Sequence, residues 1–281
     1  MRTRHGFTLL EVLIALVIMG IVTGAVYQLL NTSQRLSLAQ AEQVSLQSNV
    51  RTGSVVVPNE LRELNTVLAG TAAQNDIITK DPDRIVYRAM RGLGFVCVAP
   101  AAGATQLVLA RSTWTGLNIP TAAMDLYLFV DGDPDDEADD AWQQTAVTAV
   151  ATANNACGGN PGITLTVAAV PAVPLNTPVR LFEQMELKLH QDGGEWWLGA
   201  ASVGAGGAVE PVLGPLTDDG FQLEYLDGAG AVTADEKAVK SIRITVRGLT
   251  EDAVRAGGFG TMGHPEEALV TQVLLRNSIR P

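Results

Sequence analysis

The sequence is short of basic charge, cysteine, histidine and aromatic residues. Its 281 residues include 19 Lys and Arg against 30 Asp and Glu, which gives a net charge of −11. Proteins that bind nucleic acid need clustered Lys and Arg to neutralise phosphates, and the sequence has no basic stripe. Two cysteines and three histidines are too few and too scattered for a zinc site. We therefore expect no nucleic-acid partner and no resident zinc.

Charged residues of both signs are also sparse, at 17% of the chain, whereas hydrophobic residues make 47%. Typical globular proteins carry about 25% charged residues. A chain this apolar is not intrinsically disordered. Its length is sufficient for one large or two ordinary domains with an ample core.

Motifs of catalysis are missing as well. The sequence holds no G-x-S-x-G elbow for a nucleophilic serine. Gly258, Gly260 and Gly263 fit the spacing G-x-G-x-x-G, but Pro265 follows them and no βαβ pattern surrounds them. We interpret this segment as a flexible loop before the last strand and expect neither an enzyme nor a nucleotide cofactor.

The feature that stands out is an apolar run near the beginning of the chain. Phe7 to Leu30 contains 24 residues with one charge, Glu11. As a helix it is about 36 Å long, enough to cross a hydrocarbon core of about 30 Å. Because Arg2 and Arg4 precede it, the positive-inside rule places the N-terminus in the cytoplasm and the rest of the chain on the other side.

Two simpler interpretations fit this run less well. The apolar part of a secretory signal is about 7 to 15 residues long and ends in small residues, whereas this run is longer and lacks that ending. An ordinary membrane anchor leaves Glu11 unexplained, because an unpaired carboxylate at membrane depth is costly. Glu11 either reaches the nearby headgroups or has a partner.

The string Gly6-Phe7-Thr8-Leu9-Leu10-Glu11, behind a basic leader, resembles the class III signal of type IV prepilins and type II secretion pseudopilins. The resemblance implies cleavage by a prepilin peptidase between Gly6 and Phe7 and N-methylation of Phe7. It makes residues 1–6 the leader and Glu11 the fifth mature residue. In an assembling filament this carboxylate would pair with the N-terminal amine of a neighbouring subunit.

Beyond the span, apolar and small residues recur every three or four positions, which predicts an amphipathic helix. We expect residues 7–30 to span the membrane, 31–69 to continue the helix, and Pro58 to kink or break it. Gly20 and Gly24 form a G-x-x-x-G pair suited to close helix packing. The expected buried stripe comprises Leu36, Ala39, Gln43, Leu46, Val50, Gly53, Val57, Leu61, Leu64 and Leu68.

From residue 70 to 281 the period changes to alternation, which predicts strands. Asp192-Gly193-Gly194 and Asp227-Gly228 are typical of turns. With the resemblance, the expected fold is α+β and pilin-like, a long N-terminal helix packed on an exported antiparallel β domain. The predicted strands are Arg84–Met90, Gln106–Arg111, Asp125–Val130, Ile163–Val167, Val179–His190, Glu195–Ala200, Phe221–Leu226, Ser241–Arg247 and Leu269–Arg276.

The last third of the chain is similar to one subgroup, the J-type pseudopilins and W-type minor pilins. The similarity lies in the strings FQLEYLD from Phe221, SIRITVR from Ser241 and LLRN from Leu274. The middle segment, residues 99–178, resembles nothing that we can name, and we interpret it as lineage-specific decoration.

Two further features lie on the expected exported side. Cys97 and Cys157 are an even pair, which indicates either one disulfide closing a long loop or two buried thiols. Asp131, Asp133 and Asp135 begin like an EF-hand loop, but the glycine and the final glutamate of that motif are missing. The segment is either a solvated acidic loop or a looser calcium site.

The sequence thus predicts a non-catalytic minor subunit of a type II secretion or type IV pilus-like filament that primes or caps the tip. Its expected partners are other pilins or pseudopilins, the peptidase and an inner-membrane assembly platform. Before assembly it would cross the inner membrane once, with its β domain outside. The alternatives are a type IV minor pilin in pilus biogenesis or DNA uptake, and a membrane-anchored binding module.

Overall fold

A computed structural model of the chain describes residues 8–66, 75–132, 135, 140–255 and 260–276. It begins with one helix, α1, which covers Leu9–Leu61 and contains 53 residues. At 1.5 Å per residue this helix is about 80 Å long. Pro58 was predicted to kink or break the helix, and α1 continues through it without a break. Pro58 lies in the last turn, where its carbonyl accepts the N–H of Arg62, and the helix ends three residues later at Leu61.

The predicted stripe is the face of α1 that the β domain covers. Leu46, Val50 and Leu61 are at most 1% exposed, and Leu36 and Gln43 are half-buried. Leu68 lies outside the described residues. The amphipathic pattern therefore located the inner face of the helix correctly.

Thirteen strands follow in the described part of the chain. β1, β5, β11 and β12 were not predicted, and β13 ends at Leu274, two residues earlier than expected. Of the three glycines expected in a loop before the last strand, Gly263 lies in β12, Gly260 lies outside any strand, and Gly258 is outside the described residues. The strands are β1 Ile77–Asp81, β2 Arg84–Val98, β3 Ala104–Ala110, β4 Asp125–Val130, β5 Ala141–Cys157, β6 Asn160–Val170, β7 Pro178–Asp192, β8 Glu195–Ser202, β9 Glu210–Leu226, β10 Ser241–Leu249, β11 Val254–Arg255, β12 Met262–Gly263 and β13 Glu266–Leu274.

Seven strands form an open antiparallel sheet in the order β1-β2-β7-β8-β9-β10-β13, and α1 lies across its β9, β10 and β13 end. The helix packs tightly on the sheet at two glycines. A Cβ on Gly53 would lie 2.4 Å from Leu213 Cδ2, and one on Gly248 would lie 2.8 Å from Val50 Cγ2. This helix-on-sheet core is the fold predicted from the sequence.

The middle segment builds a second core. The other ends of β2 and β7 pair with β3 and β4, and the pairings β2-β3-β6-β5-β4-β7-β2 close a six-strand ring. Its interior is apolar and includes Leu107, Leu126, Ile163 and Leu181, each fully buried. Residues 99–178 are therefore a structured lobe that shares two strands with the sheet.

Candidate functional site

The N-terminus of α1 carries the residues with the sharpest predicted role. Thr8 is the N-cap, and its hydroxyl accepts the backbone N–H of Glu11 at 3.3 Å. In return, Glu11 Oε2 accepts the Thr8 backbone N–H at 3.0 Å and the Thr8 hydroxyl at 3.1 Å. This reciprocal pattern is a capping box, which satisfies N–H groups that a helix start leaves unpaired.

The capping box fixes where the Glu11 carboxylate lies. It turns back towards the start of the helix, three residues before its own position in the chain. Gly6 and Phe7, the predicted cleavage and methylation residues, lie outside the described residues. Cleavage between them would leave an amine within two residues of Thr8, so carboxylate and amine would share one end of the helix.

The first part of α1 has no contact with the β domain. Every residue from Thr8 to Leu30 is exposed, and the most apolar window has a mean hydropathy of 2.6 with none of it buried in the chain. About 22 residues give roughly 33 Å of helix, which matches a bilayer core. The apolar N-terminal helix thus fits the membrane anchor of a pilin-type protein.

Gly20 and Gly24 lie within this exposed segment, one turn apart. A Cβ built on either glycine would have no atom within 4 Å, so both leave open space beside the backbone. Small residues at this spacing allow a second helix to approach closely in a membrane. Among the residues that the structure describes, no second helix fills that space.

The outward face of the second part of α1 was not predicted as a site. It carries a line of exposed, uncharged residues at steps of three and four, which we call the outer stripe. Charged side chains usually cover the solvent face of an amphipathic helix, so their absence along this line was the available signal. The outer stripe comprises Ser37, Ala41, Val44, Ser48, Thr52, Val55 and Asn59.

The two cysteines are joined in the structure. Cys97 near the end of β2 pairs with Cys157 at the end of β5, with the Cα atoms 5.5 Å apart and a sequence separation of 60. Closing a loop of this length stabilises a fold by about 4 kcal/mol in the chain-entropy model. The bond fastens the ring to the strand that it shares with the sheet.

The acidic segment connects β4 to β5. Of the three candidate calcium ligands, Asp131 and Asp135 are described, and Asp133 lies outside the described residues. Within the described ranges, no three His, Cys, Asp or Glu side chains are grouped as metal ligands. A calcium site here stays a prediction from the sequence.

A cleft of about 910 Å³ lies where the end of α1 meets β2, β4 and β7. Arg88 and Arg91 of β2 line the cleft; Arg88 pairs with the buried Asp125 at 3.0 Å, and Arg91 pairs with Glu183 at 2.7 Å. The first pair links β2 to β4 across β7, and the second joins the neighbouring strands β2 and β7. Both arginines of β2 in the cleft are therefore paired with carboxylates of the same chain.

Asp76 lies beside this ion-pair network, at the start of β1. Burial raises the pKa of its carboxyl from 3.8 to about 6, although the backbone N–H of Asn65 and the positive charges of Arg88 and Arg180 act in the opposite direction. Its Oδ2 accepts the Asn65 N–H at 2.8 Å. Asp76 thereby fastens the segment that follows α1 to the sheet.

Comparison with known proteins bears on the first residues of the chain. Residues 1–27 match the family model described as the prokaryotic N-terminal methylation motif. No curated protein and no solved structure matches the chain. The matched segment includes Gly6, Phe7, Glu11 and both glycines of the span. The motif implies contact with pilin-processing and assembly machinery, and it supports a type IV pilin-like or pseudopilin precursor.

Proposed function

We propose that the protein is a structural minor subunit of a type II secretion or type IV pilus-like filament, processed between Gly6 and Phe7 and N-methylated on Phe7. The observation that carries the proposal is the methylation motif on a helix whose apolar part is wholly exposed in the single chain. Such a helix needs a membrane before assembly and other helices afterwards.

The outer stripe extends this argument beyond the membrane. Val44 and Val55 are 66% and 54% exposed on a helix that already buries its opposite face. Uncharged, small and β-branched side chains allow another helix to pack without burying an unpaired charge. In the filament, this face would contact the helices of neighbouring pilins or pseudopilins.

Glu11 would exchange partners during assembly. Within the described part of the single chain, its carboxylate accepts hydrogen bonds from the backbone N–H and the hydroxyl of Thr8. The N-terminal amine of an adjacent subunit offers a full positive charge, which neither the N–H nor the hydroxyl of Thr8 carries. The exchange would relieve two charges that the apolar helix bundle otherwise leaves unpaired.

The β domain suits an end of the filament. Its ring adds a second lobe to the helix-on-sheet core, and a lobe of this kind is hard to accommodate along a tightly packed shaft. A place at the tip, with priming or capping of assembly, follows from this bulk. Before assembly the β domain would lie outside the inner membrane.

The test compares two substitutions at Glu11 in cells that build the filament. Glu11→Gln keeps an acceptor for the Thr8 N–H and loses the charge, whereas Glu11→Ala loses both. We expect both variants to reach the membrane and both to be depleted at least tenfold from sheared filaments. A tenfold depletion corresponds to a loss of about 1.4 kcal/mol in the free energy of incorporation. Normal incorporation of Glu11→Gln would contradict the exchange with an amine.

A second pair of variants tests the outer stripe. Ser48→Lys places a charge on it, and Gln40→Lys places the same charge on an exposed position away from it. The proposal expects Ser48→Lys to lower incorporation several-fold and Gln40→Lys to leave it unchanged. Equal behaviour of the two variants would show that the outer stripe has no helical neighbour.

A further inference from the structure

The hairpin of β11 and β12 lies beside the part of α1 that leaves the membrane. Val254 pairs with Gly263 and Arg255 with Met262, and α1 contacts β11. With the helix, the hairpin borders a groove of about 370 Å³. Its lining comprises Arg35, Leu38, Ala253, Val254, Arg255 and Met262.

The position of the groove along α1 determines how far it lies from the hydrocarbon core of the bilayer. Arg35 follows Leu30, the last residue of the apolar run, by five residues, or about 7.5 Å of helix. The headgroup layer on each side of the core is about 5 to 8 Å thick. Arg35 is therefore at the outer edge of the headgroup layer. Leu38 lies about 4.5 Å further out, and its side chain points back along the helix towards that layer.

The hairpin descends towards the membrane. At its upper end the backbone N–H of Asp252 donates to Glu42 Oε2 at 3.3 Å. Nearer the bilayer, the described residues Val254, Arg255 and Met262 border the groove together with Arg35 and Leu38. Glu42 and Arg35 are seven residues apart, so the hairpin covers about 10 Å of the helix in the direction of the bilayer.

Charge and apolar surface are arranged as a lipid interface requires. Arg35 and Arg255 are exposed, and Arg255 donates only to the carbonyl of Gly260 among the described residues. Between them, Leu38 and Met262 are 65% and 61% exposed. The acidic side chains of this region lie higher, at the level where the hairpin begins, namely Glu42, Glu251, Asp252, Glu266 and Glu267.

The lower end is thus a basic and apolar patch on a protein of net charge −11. Each Lys or Arg near an anionic membrane surface strengthens binding about fivefold. Exposed apolar side chains beside such charges lose contact with water when they meet the outer edge of the headgroup layer. The span holds this patch permanently at the membrane, so even weak contacts are made at high effective concentration.

We propose that Arg35, Leu38, Arg255 and Met262 form a lipid-docking surface that contacts the anionic phospholipid headgroups of the non-cytoplasmic leaflet. This surface holds the β domain against the membrane, on one side of the helix, until the subunit leaves the bilayer. The proposal requires the membrane span, and it does not require cleavage, methylation or filament assembly.

The test uses the full chain, one copy per lipid nanodisc, with an environment-sensitive fluorophore on a single introduced cysteine. Met262→Cys reports on the patch. Val232→Cys is the control, because Val232 is 71% exposed and lies near the opposite end of α1, beside the segment that contacts Thr66. Acrylamide, a neutral quencher, measures the exposure of each probe to water.

In nanodiscs that contain phosphatidylglycerol, we expect the Met262 probe to be protected from acrylamide and the Val232 probe to be fully quenched. Protection at Met262 falls in nanodiscs of phosphatidylcholine alone. The double variant Arg35→Gln/Arg255→Gln lowers the ratio of docked to undocked β domain about 25-fold, fivefold for each arginine. The matched double variant Arg51→Gln/Arg62→Gln leaves protection unchanged, because both arginines lie far from the membrane.

Equal quenching at Met262 and Val232 in anionic nanodiscs would overturn the proposal. So would protection that is unchanged in neutral lipid and in the Arg35→Gln/Arg255→Gln variant. Protection that arises only when two copies share a nanodisc would also overturn it, because it would assign the patch to a second copy. A probe at Leu38→Cys repeats the measurement at a second position of the patch.

Discussion

The two parts of α1 belong to one continuous helix but meet opposite surroundings. From Thr8 to Leu30 every residue is exposed in the single chain. From Ala39 to Leu61 the helix buries one face against the sheet, with Val50 and Leu61 fully enclosed. The first part is apolar on all sides, whereas the second has one buried apolar line and, opposite it, the exposed uncharged outer stripe.

The contrast shows which contacts the chain makes alone and which it leaves for others. Exposed apolar surface of this extent is unfavourable in water, because each square ångström of it costs about 25 cal/mol. The first part of the helix therefore implies a bilayer or other helices, while the inner face of the second part has found its partner. The outer stripe differs from both: it is exposed like the first part of the helix, but it is uncharged rather than wholly apolar.

The largest expected difference in the free energy of unfolding is between leucine-to-alanine substitutions on the buried and the exposed face of α1. Leu46→Ala removes a side chain that is 1% exposed, and Leu38→Ala removes one that is 65% exposed. We expect Leu46→Ala to lower the free energy of unfolding of the β domain in detergent by about 3 kcal/mol. Leu38→Ala should change it by less than about 0.5 kcal/mol. Similar losses would mean that α1 does not pack on the sheet as described.

Asp76, which binds the segment after the end of α1, makes the stability of the β domain depend on pH. The folded-state pKa of Asp76 is about 6, against 3.8 for an ordinary aspartate, because the carboxyl is buried. Between these values the folded protein keeps a proton that the unfolded chain has released. This contribution to stability is present at low pH and is lost as the pH rises through about 6.

Asp76→Asn keeps an acceptor for the Asn65 N–H and removes the titration. The variant should be more stable than the wild type above pH 6, on the order of 2 kcal/mol, and the advantage should shrink towards pH 4. Urea unfolding at several pH values measures the difference. A pH-independent difference between the two proteins would contradict the raised pKa.

A smaller difference in stability is expected between leucine substitutions of Gly53, in the second part of α1, and of Gly24, in the first. A leucine at Gly53 must displace Leu213 and Val246, whereas a leucine at Gly24 meets no atom of the same chain. We expect Gly53→Leu to destabilise the β domain by about 1–2 kcal/mol in thermal unfolding, and Gly24→Leu to leave its stability unchanged. Gly24→Leu should instead reduce incorporation into filaments. Loss of stability in Gly24→Leu would show that the span contacts the β domain.

The sequence predicted the local elements where a periodic pattern coincided with burial. The inner face of α1, the end of β9 from Phe221 and the strand β10 were located this way. The turn between β7 and β8 was also predicted, and the structure places Gly193 and Gly194 there with φ of 62° and 93°. Both angles are left-handed and favour glycine.

The ring could not be predicted, for a physical reason. From Thr148 to Asn154, β5 is made of Ala, Thr, Val and Asn and has six of these seven residues exposed, so it shows no burial alternation. β2 and β7 each change partners along their length, from the sheet to the ring. A change of partner depends on pairing between distant strands, which local patterns do not record.

The functional residues likewise include some that a local sequence pattern identifies and some that only the fold brings together. The motif around Glu11 was visible because its residues are adjacent in the chain. The Thr8 capping box follows from the spacing of Thr8 and Glu11, but the basic and apolar patch joins residues that are more than 200 positions apart. Long-range packing creates that patch, so no local pattern could have identified it.

The central claim is that the exposed end of α1 is a processed filament terminus. Intact-mass and peptide mass spectrometry of the full-length protein, extracted from the membranes of its own cells, measures this directly. The account predicts the loss of residues 1–6 and one added methyl group on the amine of Phe7. An intact Met1, or a cut at any other bond, would contradict it.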